Sequence, residues 1–304
     1  MHHHHTKARR GATSRAAWAR FLCLGALAGA ATVAQAVDVD AGDYTALPAG
    51  TDLGLVYYQH AHRDRLYSGG HRVPVDGGLD SDVGIARGVH FMDIGGYIVD
   101  PQFLLPFGQL KGRGDLAPSL GSGSGAGDLI LAATVWLTKP SDKTHFGITP
   151  FVYVPTGSYD HDKALNLGEN RWKFALQAGF ITPLTESVTL DLAADATVNG
   201  KNDDYGAARQ TMRQDALYQV QGFLRYSLSP AADLRFGLSE VAGGETRVDG
   251  VAQGNRQSTS KFSLGGAWFV APRTQLMANY GRDISVRDGF KEANRINLRL
   301  LQLF

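Results

Sequence analysis

Cysteine occurs once in the 304 residues, at Cys23, and that position falls inside an N-terminal apolar run. A chain that loses this run has no disulfide to staple it. It also lacks the thiol clusters of a zinc or iron–sulfur site. Long hydrophobic runs are missing too. No stretch after residue 36 reaches the roughly 18 apolar residues that a membrane helix requires. Charge of one sign is not in excess either, with 30 Lys and Arg against 29 Asp and Glu. Without Lys7, Arg9, Arg10, Arg15 and Arg20, the cations fall to 25 and the balance to about −4. That leaves no basic patch for nucleic acid. Catalytic motifs are equally scarce. There is no G-x-S-x-G elbow, no H-x-S-N-G signature, and Gly121–Gly125 lacks the lysine of a phosphate loop.

What is present begins with a leader. The five cations precede Phe21–Ala36, a small-residue apolar run closed by Ala34-Gln35-Ala36, which predicts a secretory signal peptide over residues 1–36. His2–His5 is set aside as a tag-like run. Residues 37–50 are polar and turn-rich, and are expected to form a periplasmic N-terminal segment or a small plug in a lumen.

The last strand, Asn294–Phe304, sets the pattern for the rest. Ile296, Leu298, Leu300 and Phe304 alternate with Arg295, Asn297 and Arg299, so one side is greasy and the other wet. Gln302 departs from that pattern. The same period of two runs through 171–180, 188–199, 218–226, 234–239, 262–270 and 276–280, and further strands are expected at 53–58, 83–91, 96–108 and 129–137. Short hinges at 182–187, 229–233 and 271–274 alternate with polar loops at 159–170, 201–214, 244–256 and 287–293. Residues 61–78 and 111–127 also read as loops. Short turns on one side and long loops on the other are the hairpin grammar of outer-membrane barrels. The chain is therefore expected to be all-β: a transmembrane antiparallel up-and-down β-barrel of about 12 strands over residues 51–304. A soluble β-sandwich is the rival, and it does not account for the loop asymmetry or the leader.

The polar face assigns Lys173, Gln177, Asp191, Asp195, Gln219, Gln221, Arg225, Arg235, Lys261, Asn297 and Arg299 to the lumen, and Asp128 is expected beside them. Trp136 and Phe223 are inward aromatics. Pro101, Pro106, Pro150 and Pro155 recur at matched offsets 49 residues apart. Proline cannot donate to a ladder, so these four mark either rim positions or a weak place in the wall that could serve as a lateral gate. His60 and His62 share a face, but no cluster around them completes a metal site.

Several segments resemble one known group: Asp40–Tyr58, Tyr97–Gly108, Gly125–Leu137, Phe146–Asp160, Leu165–Phe180 and Lys291–Leu301. They are similar to the outer-membrane, transporter-like proteins of the meta-pathway of phenol degradation. The resemblance implies a barrel in the outer membrane of a Gram-negative bacterium, taking up phenol or other small aromatic solutes. It carries over no catalytic residue, and no cofactor or metal is expected. The expected partners are the outer-membrane bilayer, the aromatic solute and the barrel-assembly machinery, which would engage the strand ending at Phe304. A structural or ligand-binding barrel with a sealed lumen stays open as an alternative, and so does an outer-membrane lipid hydrolase.

Overall fold

The computed structural model describes residues 38–304; the leader, Cys23 and Val37 lie outside the described residues. Twelve long strands follow in chain order: β1 Asp52–Ser68, β2 Gly77–His90, β3 Tyr97–Gly114, β4 Leu129–Trp136, β5 His145–Val154 and β6 Lys173–Pro183, then β7 Val188–Asn199, β8 Leu217–Ser229, β9 Ala232–Gly243, β10 Gln257–Ala271, β11 Thr274–Val286 and β12 Gly289–Leu303. Each pairs antiparallel with its neighbours in sequence. β12 returns to β1 in a register running from Leu53↔Leu303 to Tyr67↔Gly289. The sheet is thus a closed ring with no free edge, the arrangement that satisfies every strand's backbone in lipid.

Alternation decides which face is which. In β6, Phe174 and Leu176 are 48% and 57% exposed, while Lys173 and Gln177 on either side of them are 5% and 0%. In β12, Ile296, Leu298 and Leu300 are exposed, and Arg295 and Arg299 are buried. The ring is therefore inside-out relative to a soluble sandwich: apolar outside, charged inside. Among the described residues no helix is long and apolar enough to cross a membrane. Gln302, the exception to the terminal pattern, sits at the rim, where its carboxamide accepts from the Thr274 hydroxyl at 2.7 Å.

Several loop boundaries need correction. Residues 61–78 were expected as loop, yet β1 continues to Ser68 through register shifts at His62/Arg63 and Arg63/Arg65. The loop expected at 287–293 is a tight hairpin, and β12 already starts at Gly289. Both misreadings share one cause. Above the lipid the outer face is wet as well, so a strand there loses its apolar–polar alternation. Residues 111–127 hold the end of β3, a helical turn Ala117–Leu120 and a short strand Ser122–Ala126 paired to β3. The loops at 201–214 and 244–256 build a separate four-stranded sheet from Asn202–Tyr205, Gln210–Gln214, Thr246–Val248 and Val251–Ala252. The connections at residues 184–187, 230–231 and 272–273 are short, on the side where Phe304 N–H meets the Asp52 carbonyl.

The belt makes a direct forecast. Leu176 stands in the middle of β6, opposite Pro150 and Ala196. Leu176→Arg should destabilise the lipid-folded protein by about 2–4 kcal/mol, read as a lower urea midpoint in vesicles. An unchanged midpoint would contradict the assignment of this face to lipid.

Candidate functional site in the lumen

The inward faces enclose the segment 38–51, which precedes β1. Its contacts are polar and run from one side of the ring to the other. The Asp38 carboxylate accepts from Gln219 at 2.8 Å and from Arg295 at 3.1 Å. Val39 N–H donates to Gln221 at 3.2 Å, and the Ala41 carbonyl accepts from Arg235 at 2.7 Å. Gly42 N–H donates to Asp191 Oδ2 at 2.5 Å, and Arg225 Nε holds the same oxygen at 2.9 Å. Asp40 and Asp43 share Arg299, at 3.2 and 2.8 Å, and Asp43 also receives Arg87 at 3.0 Å. Three arginines, Arg87, Arg295 and Arg299, thus pair with the three carboxylates of the segment. Buried charge of this kind is tolerated because it is paired and hydrogen-bonded.

Tyr44 anchors the segment at the side of the short turns. Its hydroxyl donates to Gln177 at 2.9 Å and lies 2.9 Å from Thr149 Oγ1. Its ring meets Trp136 edge-on at 5.9 Å. The ring lies directly over Gly179, where a Cβ would come within 2.0 Å of Tyr44 Cγ, so glycine is required for this close approach. Tyr44, Ala46, Leu55, Val89, Phe91, Trp136 and Ile181 form one buried apolar cluster there.

The segment divides the interior space. A cavity of about 670 Å³ opens toward the short turns, lined by Asp43, Arg87, Phe91, Asp100, Arg225 and Leu301 among others. A smaller one of about 170 Å³ lies toward the long loops, between Asp38–Asp40 and the walls of β8 to β12. Above it, Glu292 is buried between Arg63 at 2.5 Å and Arg295 at 2.6 Å, with Lys261 at 4.0 Å. Toward the long loops a second apolar cluster packs Leu66, Leu79, Leu110, Leu116, Leu120, Leu165 and Phe290 together.

Of the eleven lumen candidates, eight are buried and Arg225, Lys261 and Asn297 are half-buried. Gln177, Asp191, Gln219, Gln221, Arg235 and Arg299 touch the segment, Arg225 reaches it through Asp191, and Asp195 accepts from Gln177 at 3.3 Å. Lys173 pairs instead with Glu169 and lies 4.3 Å over the Tyr153 ring. Lys261 and Asn297 line the smaller cavity with Phe223, while Trp136 is buried against Tyr44. Asp128 is a correction. Its oxygens accept from Gly157 and Glu169 backbone N–H groups, each at 2.9 Å, so it clamps a loop. Sequence reasoning missed Arg87, Arg63, Glu292 and the partners in residues 38–44. The alternation of 83–91 hides Arg87, which shares its parity with Val83, Ile85, Val89 and Phe91.

Of the prolines, Pro101 and Pro150 stay in register, opposite Ala133 and Leu176. At Pro106 the wall changes partner. β4 begins only at Leu129, and beyond Leu104↔Ile130 the strand β3 pairs with Ser122–Ala126, the Pro106 carbonyl accepting from Gly127 at 2.8 Å. Pro155 lies just past the end of β5. On the outer face His60 meets Asp82 at 2.8 Å and His62 meets Asp80 at 2.6 Å. Among the described residues no group of three metal-ligating side chains converges.

In the loop between β5 and β6, burial pushes the Glu169 carboxyl up, but Lys173 and Arg171 beside it prevail and hold it down to about 2. A depressed carboxyl stabilises the fold above its unfolded value of about 4.5, and that contribution is lost as pH falls through 2. Loop residues 155–172 should therefore become protease-sensitive between about pH 4.5 and 2, and Glu169→Gln should flatten the step. Cleavage that is equal across this range in the unmodified protein would count against it.

A family model described as "Putative MetA-pathway of phenol degradation" matches residues 61–300. The crystal structure of the COG4313 outer membrane channel from Pseudomonas putida F1 superposes with a TM-score of 0.85 at 42% identity, covering 88% of this chain and 100% of that one. The beta domain of the Bordetella autotransporter BrkA (TM-score 0.49, 10% identity, 84% of this chain and 100% of that one) and the KdgM porin (0.44, 10%, 82% and 99%) lie much further away. No curated protein matches the chain.

Proposed function

The chain belongs to the phenol-degradation family that matches residues 61–300, a family of outer-membrane β-barrels, and from that premise we propose that it is a passive channel for small, mostly apolar aromatic solutes such as phenol. The observation that carries this reading is the 42% identity to an outer-membrane channel over nearly the whole barrel. No chemical step is involved. Solute enters at the long-loop mouth past Leu66, Leu116 and Phe290, reaches the smaller cavity, and leaves through the larger one into the periplasm. Residues 38–47 act as a plug, because Asp38, Asp40 and Asp43 occupy the waist between the two cavities. The mixed lumen charges bind one another and the plug, so little free water path is left for ions. The strand ending at Phe304 serves as the element that the assembly machinery reads.

Cells displaying the intact protein should take up radiolabelled phenol faster than cells displaying an unrelated barrel, while planar-bilayer conductance stays near baseline. Deleting residues 38–47 should raise that conductance severalfold. If the deletion leaves conductance at baseline, the plug is wrong. If uptake matches the control barrel, so is the channel.

One observation favours a sideways exit as a second reading. The ladder changes partner at Pro106, and Pro155 lies just beyond β5, so the wall between β3 and β5 relies on loop contacts. Pro106→Val with Pro155→Val should then slow uptake of toluene at least threefold with folding intact. Unchanged uptake would leave only the axial route.

A further inference from the structure

The smaller cavity has a composition of its own. On four neighbouring strands the register brings Phe223, Gly237, Ser263 and Gly281 side by side on the inward face. The next row places Gly265 beside Asn279 and Asn297. The first row ends on Arg295 beside Gly281 and the second meets Arg235 beside Gly265, but the glycines and Ser263 between them carry little side-chain bulk, so a trough is left there. Phe223 forms one wall. Its ring leans over Gly237, where a Cβ would come within 2.5 Å of Phe223 Cδ1. Asn279 lies across Gly265, whose Cβ would come within 2.0 Å of Asn279 Oδ1.

Two polar atoms here are unspent. Asn279 Oδ1 and Asn297 Oδ1 are buried, and among the described residues neither accepts a hydrogen bond. Both residues line the cavity, as do Phe223 and Lys261. A buried acceptor without a donor is costly, which gives a ligand with one hydroxyl an advantage over one with none.

We propose that this trough is a binding site for a single-ring phenol. The ring lies over Ser263 and Gly281 against Phe223, and the hydroxyl donates its one proton to the carboxamide oxygen of Asn279 or of Asn297. The volume suits one ring. A cavity of about 150 Å³ accommodates benzene, and this one is about 170 Å³, with Lys261, Glu292 and Arg295 on its polar side. An aromatic wall adds edge or offset stacking. A fused two-ring solute exceeds the space. The proposal rests on the channel reading for its choice of solute and adds to it a hydroxyl-selective station.

The test uses the full chain folded in detergent, with 4-fluorophenol and fluorobenzene as fluorine-NMR probes. Unmodified protein should bind 4-fluorophenol at least tenfold more tightly than fluorobenzene. The double variant Asn279→Ala, Asn297→Ala should lose about tenfold for 4-fluorophenol and nothing for fluorobenzene, consistent with one hydrogen bond to a buried acceptor. Ser263→Leu should fill the trough and abolish binding of both probes. Retained heat-modifiable migration of each variant shows that the barrel has formed. Equal affinity of all variants for 4-fluorophenol, the behaviour of partitioning into detergent, overturns the site. Phenol uptake by cells is measured in parallel. Uptake that stays fast without trough binding defeats the station and spares the channel, whereas trough binding without uptake does the reverse.

Discussion

The backbone amide in lipid is the constraint from which the structure follows. Hydrocarbon offers no hydrogen-bond partner, so a chain without apolar helices can cross only if each strand pairs on both sides. The pairing of β12 with β1 removes the last two edges. Closure then dictates side-chain chemistry. One face of each strand meets lipid and the other meets the lumen, so Leu176 and Gln177, adjacent in sequence, have opposite environments. No sandwich requires Gln177 to be fully buried while its apolar neighbours stay exposed.

A ring of twelve strands is too narrow to leave its inward charges in bulk water. Among the described residues Arg87 and Arg299 ion-pair with no barrel carboxylate, while Arg235 and Arg295 already hold Asp233 and Glu292. The segment before β1 supplies what is missing, with Asp38, Asp40 and Asp43 on those guanidinium groups and the Ala41 carbonyl on Arg235. Breaking one buried pair by removing a partner costs on the order of 3–5 kcal/mol. The segment is therefore held firmly, but by groups that water can replace once it enters. Tyr44 over Gly179 adds the one shape-specific contact.

The ring and its strand count were legible because lipid enforces a strict period of two. Where the lipid stops, so does the signal. Arg63 and Glu292 belong to strands that the sequence presents as loops, since above the membrane both faces of β1 and β12 are polar. Nor could the pattern announce that Tyr44 lies over Gly179, or that Asp43 meets Arg299. These partners are far apart in the chain and joined only by closure. Asp128 shows the opposite error. Its acidic side chain near a strand end looked like pore lining, yet two backbone N–H groups claim it.

Ion flow and aromatic passage place different demands on such an interior. An ion needs a continuous hydrated path, because any dry gap costs it solvation energy. A neutral ring needs only a succession of spaces its own size, each with enough apolar contact to repay leaving the last. The lumen meets the second demand better than the first. An apolar mouth around Phe290, a trough of glycine and serine beside Phe223, and a larger chamber near Phe91 lie in series, separated by ion pairs. On this reading the barriers are ion pairs, and each station offers an aromatic wall among its polar groups: Phe290, Phe223 and Phe91 in turn. A barrel can then exclude salt while admitting phenol, since loosening one ion pair at a time opens a path that is never wide and never fully wet.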